Sequence, residues 1–171
     1  MKVLWAPWRM TLLSAPKPKG CIFCHLPRSD DLRGSLVLAA TRSALVMLNR
    51  YPYNSGHLMV APRRHVASLD RLTRPQRGEL QDALVRTIEI LRRELAPEGM
   101  NVGMNLGAVA GAGIADHLHW HVVPRWTGDT NFMPAIGSVK VMPQHLLDTY
   151  DRLHAAFDSL RRDRRRRRAR R

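Results

Sequence analysis

The stretch His117-Leu118-His119-Trp120-His121-Val122-Val123 alternates imidazole and apolar side chains up to its last two residues. Side chains of a strand point to opposite faces in turn, so this pattern predicts a β-strand. Leu118, Trp120 and Val122 then enter a core. His117, His119 and His121 share the other face, with Cβ atoms ~7 Å apart along it. A phosphate and its bridging oxygens can touch three rings at that spacing. A metal ion is the competing ligand for such a face, and plain solvation is the third reading. Solvation leaves unexplained why three of the eight histidines fall within five residues. Two neighbours favour phosphate. The glycine-rich run Gly107-Ala108-Val109-Ala110-Gly111-Ala112-Gly113 leads into the strand and lets backbone amides approach an anion. Arg125 follows it and can supply charge.

The rest of the chain is read around this strand. Residues 35–40 and 43–48 form a hairpin of two β-rich runs, without a strong turn signal between them. A third run, residues 57–61, follows the turn-forming Tyr51-Pro52-Tyr53-Asn54-Ser55-Gly56. Leu80, Leu84, Ile88, Leu91 and Leu95 recur at steps of four and three, which predicts a helix over Arg74–Leu95. Thr73 and Gln76 supply a capping box at its start, and Pro97 lies just past its end. A short strand at residues 101–106 precedes the glycine-rich run, and Pro124 is expected to stop the histidine strand. A last helix over residues 144–160 would bury Leu146, Leu147, Tyr150, Leu153 and Phe157. Strands, helix, strands, helix predict an α+β domain: an antiparallel sheet of about five strands with a long helix and a C-terminal helix packed on it. The domain runs over residues 21–160. An irregular arm, residues 1–20, precedes it, and an arginine-rich tail, residues 161–171, follows.

The 171 residues suffice for one domain, whose core needs neither disulfide nor metal to form. The net charge of +14 is uneven: residues 161–171 hold nine arginines against one aspartate, a net +8. The body is thus moderately basic, which suits a polyanionic substrate. No run approaches the ~18–20 apolar residues of a membrane span, so no membrane contact is expected. Cys21 and Cys24 are the only cysteines, so no secreted disulfide framework is expected and a cytoplasmic, reducing compartment is the better reading. Their C-x-x-C spacing fits zinc ligands, a redox pair or two unrelated thiols. Lys17-Pro18-Lys19-Gly20 before them is not the strand that a redox pair requires.

The histidine stretch matches in full the His-φ-His-φ-His-φ-φ signature (φ, apolar) of the histidine-triad (HIT) superfamily, which the chain therefore resembles. The likeness takes in Asn49, Gly56-His57-Leu58-Met59-Val60, Pro62, His65 and Met104-Asn105-Leu106-Gly107. Trp5-Ala6-Pro7-Trp8-Arg9 and Pro124-Arg125-Trp126 make it similar to the Fhit-related bacterial branch of diadenosine tetraphosphate hydrolases and phosphorylases. That resemblance implies dinucleoside polyphosphate cleavage by nucleotidyl transfer. His119 would attack the α-phosphorus, and water or inorganic phosphate would release the nucleotide. His121 would contact phosphoryl oxygens or the leaving group, and His117 would position the strand and the nucleophile's ring. His57 matches a histidine that faces the phosphates, Asn49 a nucleoside contact, and Asn105 a contact to phosphate or the second nucleotide. Many relatives carry a Ser or Thr just before the triad, whose hydroxyl binds phosphate. Here Ala112-Gly113-Ile114-Ala115-Asp116 has none, so the backbone amides of Ala112 and Gly113 would serve. The resemblance also implies structural zinc on Cys21, Cys24, His65 and His117, and a homodimer. A Hint-like nucleoside phosphoramidase and a non-catalytic nucleotide- or RNA-binding module are the alternatives. The tail is either a solvated extension of the last helix or an electrostatic contact for nucleic acid or acidic partners.

Overall fold

The structure is a computed structural model that describes residues 20–129 and 144–169, with side chains to residue 159. The expected arm and its tryptophan motif lie outside the described residues, Gly20 apart. In chain order the elements are α1 (Ile22–His25), β1 (Val37–Ala40), β2 (Ala44–Leu48), β3 (Leu58–Pro62), α2 (Arg74–Leu95), β4 (Gly99–Met104), β5 (Trp120–Arg125) and α3 (Leu146–Ala169). The strands form one antiparallel sheet in the order β1-β2-β3-β5-β4. Five strands and two long helices match the α+β expectation. Among the described residues no helix is long and apolar enough to cross a membrane.

Local chemistry explains each boundary. The β1–β2 turn closes without glycine because Thr41 Oγ1 accepts from the Ala44 amide at 3.0 Å, while the Thr41 amide donates to the Ala44 carbonyl at 2.8 Å. β1 begins at Val37 rather than residue 35 because Leu36 has φ 61°, which breaks the extended run. The capping box on α2 forms as expected: Thr73 N–H donates to Gln76 Oε1 at 2.9 Å and Gln76 N–H to Thr73 Oγ1 at 3.4 Å.

Pro124 does not stop the histidine strand. It pairs with Met100 inside β5, which runs on to Arg125. The N and C=O of one strand residue point to the same side. The Pro124 carbonyl accepts Asn54 Nδ2 at 3.1 Å, on the side where the β3 ladder has already ended at Leu58. The missing N–H therefore costs no ladder bond. At its other end β5 begins at Trp120, not 117. Leu118 N–H instead donates to the Val66 carbonyl at 2.7 Å, which anchors residues 117–119 outside the ladder. α3 starts two residues later than expected and its backbone stays helical to Ala169, through the arginine-rich segment.

The two faces of the sheet carry different layers. Ala44, Val46, Leu48, Leu58, Val60, Leu118 and Val122 meet Leu80, Leu84, Ile90, Leu91, Leu153 and Phe157 of α2 and α3. Leu45, Met47, Met59 and Ala61 point the other way, onto Phe23 and the segment around Cys21. Each fully buried Leu or Ile contributes ~1.5–3 kcal/mol. The helical layer thus holds the sheet rigid, while the opposite face carries the histidines.

Candidate active site and metal cluster

The alternation expected of the histidine stretch is present. Leu118 and Val122 are buried in the helical layer with Trp120 packed against it, and the three histidines lie on the opposite face. The face is not solvated: His117 is 0% and His119 5% exposed. Phe23, between the two cysteines, places its ring 5.0 Å from the rings of both His117 and His119. Sequence reasoning missed it, although its place inside the C-x-x-C was a usable signal.

Hydrogen bonds fix the proton on each imidazole, because a carbonyl can only accept and an amide can only donate. His117 Nε2 donates to the Pro62 carbonyl at 2.7 Å, leaving Nδ1 with a lone pair. His119 Nδ1 donates to the His117 carbonyl at 2.8 Å, leaving the lone pair on Nε2. His57 Nδ1 accepts from the Tyr53 amide at 3.0 Å, so its Nε2 carries the proton and donates to His121 Nδ1 at 2.9 Å. The proton of neutral His121 is thereby left on Nε2. Burial pushes the pKa values of His117 and His119 below the ordinary imidazole value. It pushes His121 down to about 4, with a smaller contribution from His119. The site thus presents an unprotonated nitrogen at His119 and an N–H at His121, on rings whose centroids are 4.9 Å apart.

The other expected site residues are tied into the protein to different degrees. His57 is 0% exposed and lies behind His121, with both ring nitrogens engaged inside the protein. Tyr53 stacks on it at 5.0 Å, a contact that sequence reasoning did not foresee. Asn49 Oδ1 accepts from the Tyr51 amide at 2.9 Å, and the Asn49 backbone N–H donates to the His57 carbonyl at 2.9 Å. Asn105 is half-buried, one residue past β4. The Ala112 amide donates to the Gly107 carbonyl at 3.3 Å within the loop, whereas Gly113 is exposed. Arg125, expected to supply charge, is paired inside the protein. It grips Asp129 through Nε at 2.6 Å and Nη2 at 2.9 Å, and its Nη1 donates to Asn101 Oδ1 at 2.9 Å. Asp129 also accepts Asn54 Nδ2 at 2.8 Å, so this pair ties the loop before His57 to the end of β5.

Cys21, Cys24, His65 and His117 converge, with their ligand atoms all within 4.8 Å of one another. Metal–nitrogen bonds of ~2.0–2.1 Å and metal–sulfur bonds of ~2.3 Å at tetrahedral angles give edges of ~3.3 Å between nitrogens and ~3.5 Å between nitrogen and sulfur. The two Nδ1 atoms are 3.2 Å apart. Cys21 Sγ is 3.2 Å and Cys24 Sγ 3.7 Å from His117 Nδ1, and Cys24 Sγ is 3.4 Å from His65 Nδ1. The donors therefore fit a tetrahedral metal ion. The Pro62 carbonyl already orients the His117 ring for it, as an outer partner of a metal-bound imidazole does.

An antiparallel sheet bearing three aligned histidines on its unhelical face defines a histidine-triad protein. The HIT domain model matches residues 33–128, and the chain belongs to that family. The chain is 43% identical to the AP-4-A phosphorylase of Mycobacterium tuberculosis over 155 residues, 85% of this chain and 79% of that one. A zinc-bound histidine triad family protein from Mycobacterium smegmatis shares the fold, with a TM-score of 0.63 at 23% identity, over 84% of this chain and 97% of that one. The histidine triad nucleotide-binding protein ST2152 of Sulfolobus tokodaii gives a TM-score of 0.64 at 20% identity, over 83% and 95%.

Proposed function

We propose that this chain is an enzyme that cleaves dinucleoside polyphosphates of the diadenosine tetraphosphate type at the α-phosphate. The supporting relative is the AP-4-A phosphorylase, similar over most of both chains. The observation that carries the mechanism is the bond from His119 Nδ1–H to the His117 carbonyl. It leaves the Nε2 lone pair of His119 to attack phosphorus, and burial keeps that ring unprotonated near pH 7. An Nε2–P bond forms and the bond from the α-phosphorus to its bridging oxygen breaks. The electron pair leaves with that oxygen, to which His121 Nε2–H donates a hydrogen bond. Phosphate or water then attacks the nucleotidyl-imidazole from the vacated side. The Nε2–P bond breaks, the electron pair returns to His119, and ADP or AMP is released.

The other residues support this centre. His117 positions His119 through its carbonyl, and His57 positions His121. The Gly113 amide, Asn49 and Asn105 line the nucleotide's path, with the Ala112 amide held back by Gly107. Zinc would be the ion held by Cys21, Cys24, His65 and His117, a donor set of two sulfurs and two nitrogens that suits a structural rather than a catalytic metal. Bound there, it holds the segment around Phe23 against the catalytic strand. The protein works as a homodimer in the cytoplasm, whose reducing conditions keep both cysteines from oxidation, as zinc ligation requires. Residues 161–171 add a nucleic-acid contact through charge.

The test is incubation with diadenosine tetraphosphate, with and without inorganic phosphate, and chromatographic identification of the products. ADP plus ATP with phosphate, or AMP plus ATP without it, is expected. An intact substrate under both conditions would sink the reading.

A further inference from the structure

Seven of the eight positions from Arg161 to Arg168 are arginine, Asp163 being the exception. The backbone that carries them is part of α3, which is helical to Ala169. Among the described side chains, its last buried anchors on the body are Leu153, Ala156 and Phe157. The helix runs twelve residues beyond Phe157, or ~18 Å at ~1.5 Å per residue. At 100° per residue the seven arginine positions fall on all sides of the axis, without an uncharged stripe. Arg161 and Arg165, Arg162 and Arg166, and Arg164 and Arg168 are like charges four apart, a spacing that weakens a helix left to itself. A surrounding polyanion removes that repulsion.

We propose that this segment enters the major groove of duplex DNA as a basic rod, binding without regard to base sequence. The inference refines, and rests on, the nucleic-acid contact proposed for residues 161–171. Three observations select the partner. Among residues 161–171 only Ala169 is apolar, so the helix has no face to bury in a lipid surface or an apolar protein groove. A net +6 over residues 161–169, ~13 Å of helix, approaches the one negative charge per ~1.7 Å of a duplex. A helix ~10–12 Å across fits a B-form major groove ~12 Å wide, whereas the A-form groove of duplex RNA is too narrow to admit it. The segment holds no Asn or Gln to read adenine edges, and arginine positions spread around the whole axis cannot all face base edges, so most of its contacts go to phosphates.

The test compares the full chain with a chain ending at Leu160 and with a full-length variant carrying Arg164→Gln, Arg165→Gln, Arg167→Gln and Arg168→Gln. Turnover of a dinucleotide shows that each is folded. Fluorescence anisotropy with a labelled 24-base-pair DNA duplex, its single strand and the equivalent RNA duplex is followed from ~50 to ~200 mM salt. The full chain should bind duplex DNA at least tenfold more tightly than the other two. The slope of log K on log salt should be near −5, as ~six phosphate contacts give. Both altered chains should lose at least tenfold in affinity and most of that slope. Equal binding to all three nucleic acids would overturn the groove reading and leave a general nucleic-acid contact. No binding of the full chain to any of them at ~50 mM salt would overturn both. Tighter capture by phosphatidylserine vesicles than by duplex DNA would also overturn the proposal.

Discussion

The Nδ1 atom of His119 lies 2.8 Å from the carbonyl oxygen of His117, whose own Nδ1 faces two cysteine sulfurs and His65. One residue thus joins the metal cluster by its side chain and the proposed nucleophile by its backbone. The ring two positions on is held in the tautomer that frees Nε2.

Replacing His119 with Ala should lower turnover more than a thousandfold while nucleotide binding persists, because the loss falls on bond making rather than on phosphate contacts. Rapid-quench assays and equilibrium binding with AMP separate the two. Turnover within tenfold of wild type would refute the nucleophile.

Purified protein should hold about one equivalent of zinc per chain by elemental analysis. Changing Cys21 and Cys24 to Ser should remove it, lower the melting temperature and slow turnover, since the strand segment that supports His119 loses its tether. Metal-free wild-type protein with the same melting curve as the double variant would rule the site out.

His57→Ala should reduce kcat by about ten- to a hundredfold with little change in KM. His121 would lose the donor that fixes its tautomer, while the pocket lining stays in place. A rise in KM at constant kcat would instead make His57 a substrate contact, as the family resemblance implied.

Acid should destabilise the fold through His121. Its pKa is about 4 in the folded chain and ~6.5 when unfolded. Between those values the unfolded chain takes up a proton that the folded chain refuses, so stability falls as pH drops from ~6.5 toward 4. Above that window the group contributes nothing. Urea melts of His121→Gln should show a correspondingly shallower pH dependence, and identical slopes would contradict the assignment.

Gly56→Ala should destabilise the protein by more than ~1 kcal/mol. Gly56 has φ +75°, and an added Cβ would overlap Leu95 Cδ1 and lie 3.3 Å from Pro124 Cγ. The adjacent His57 would shift with it, so a thermal melt and a turnover assay should fall together.

The sequence by itself determined what depends on short-range periodicity. Alternation placed Leu118, Trp120 and Val122 opposite the three histidines, and steps of four and three set the buried face of α2. The Thr73–Gln76 box formed because both partners lie within one helical turn. The family signature gave Cys21, Cys24, His65 and His117 as one ligand set, which spacing alone did not, because His117 is 96 residues from Cys21. Only the tertiary structure decided the proton on each imidazole, since Pro62, His117 and Tyr53 act through backbone atoms common to every residue type. It alone turned His57 inward and committed Arg125 to Asp129 and Asn101. A side chain's charge can be read from sequence, but whether that charge is spent is decided by which neighbours the folded sheet brings within hydrogen-bond reach.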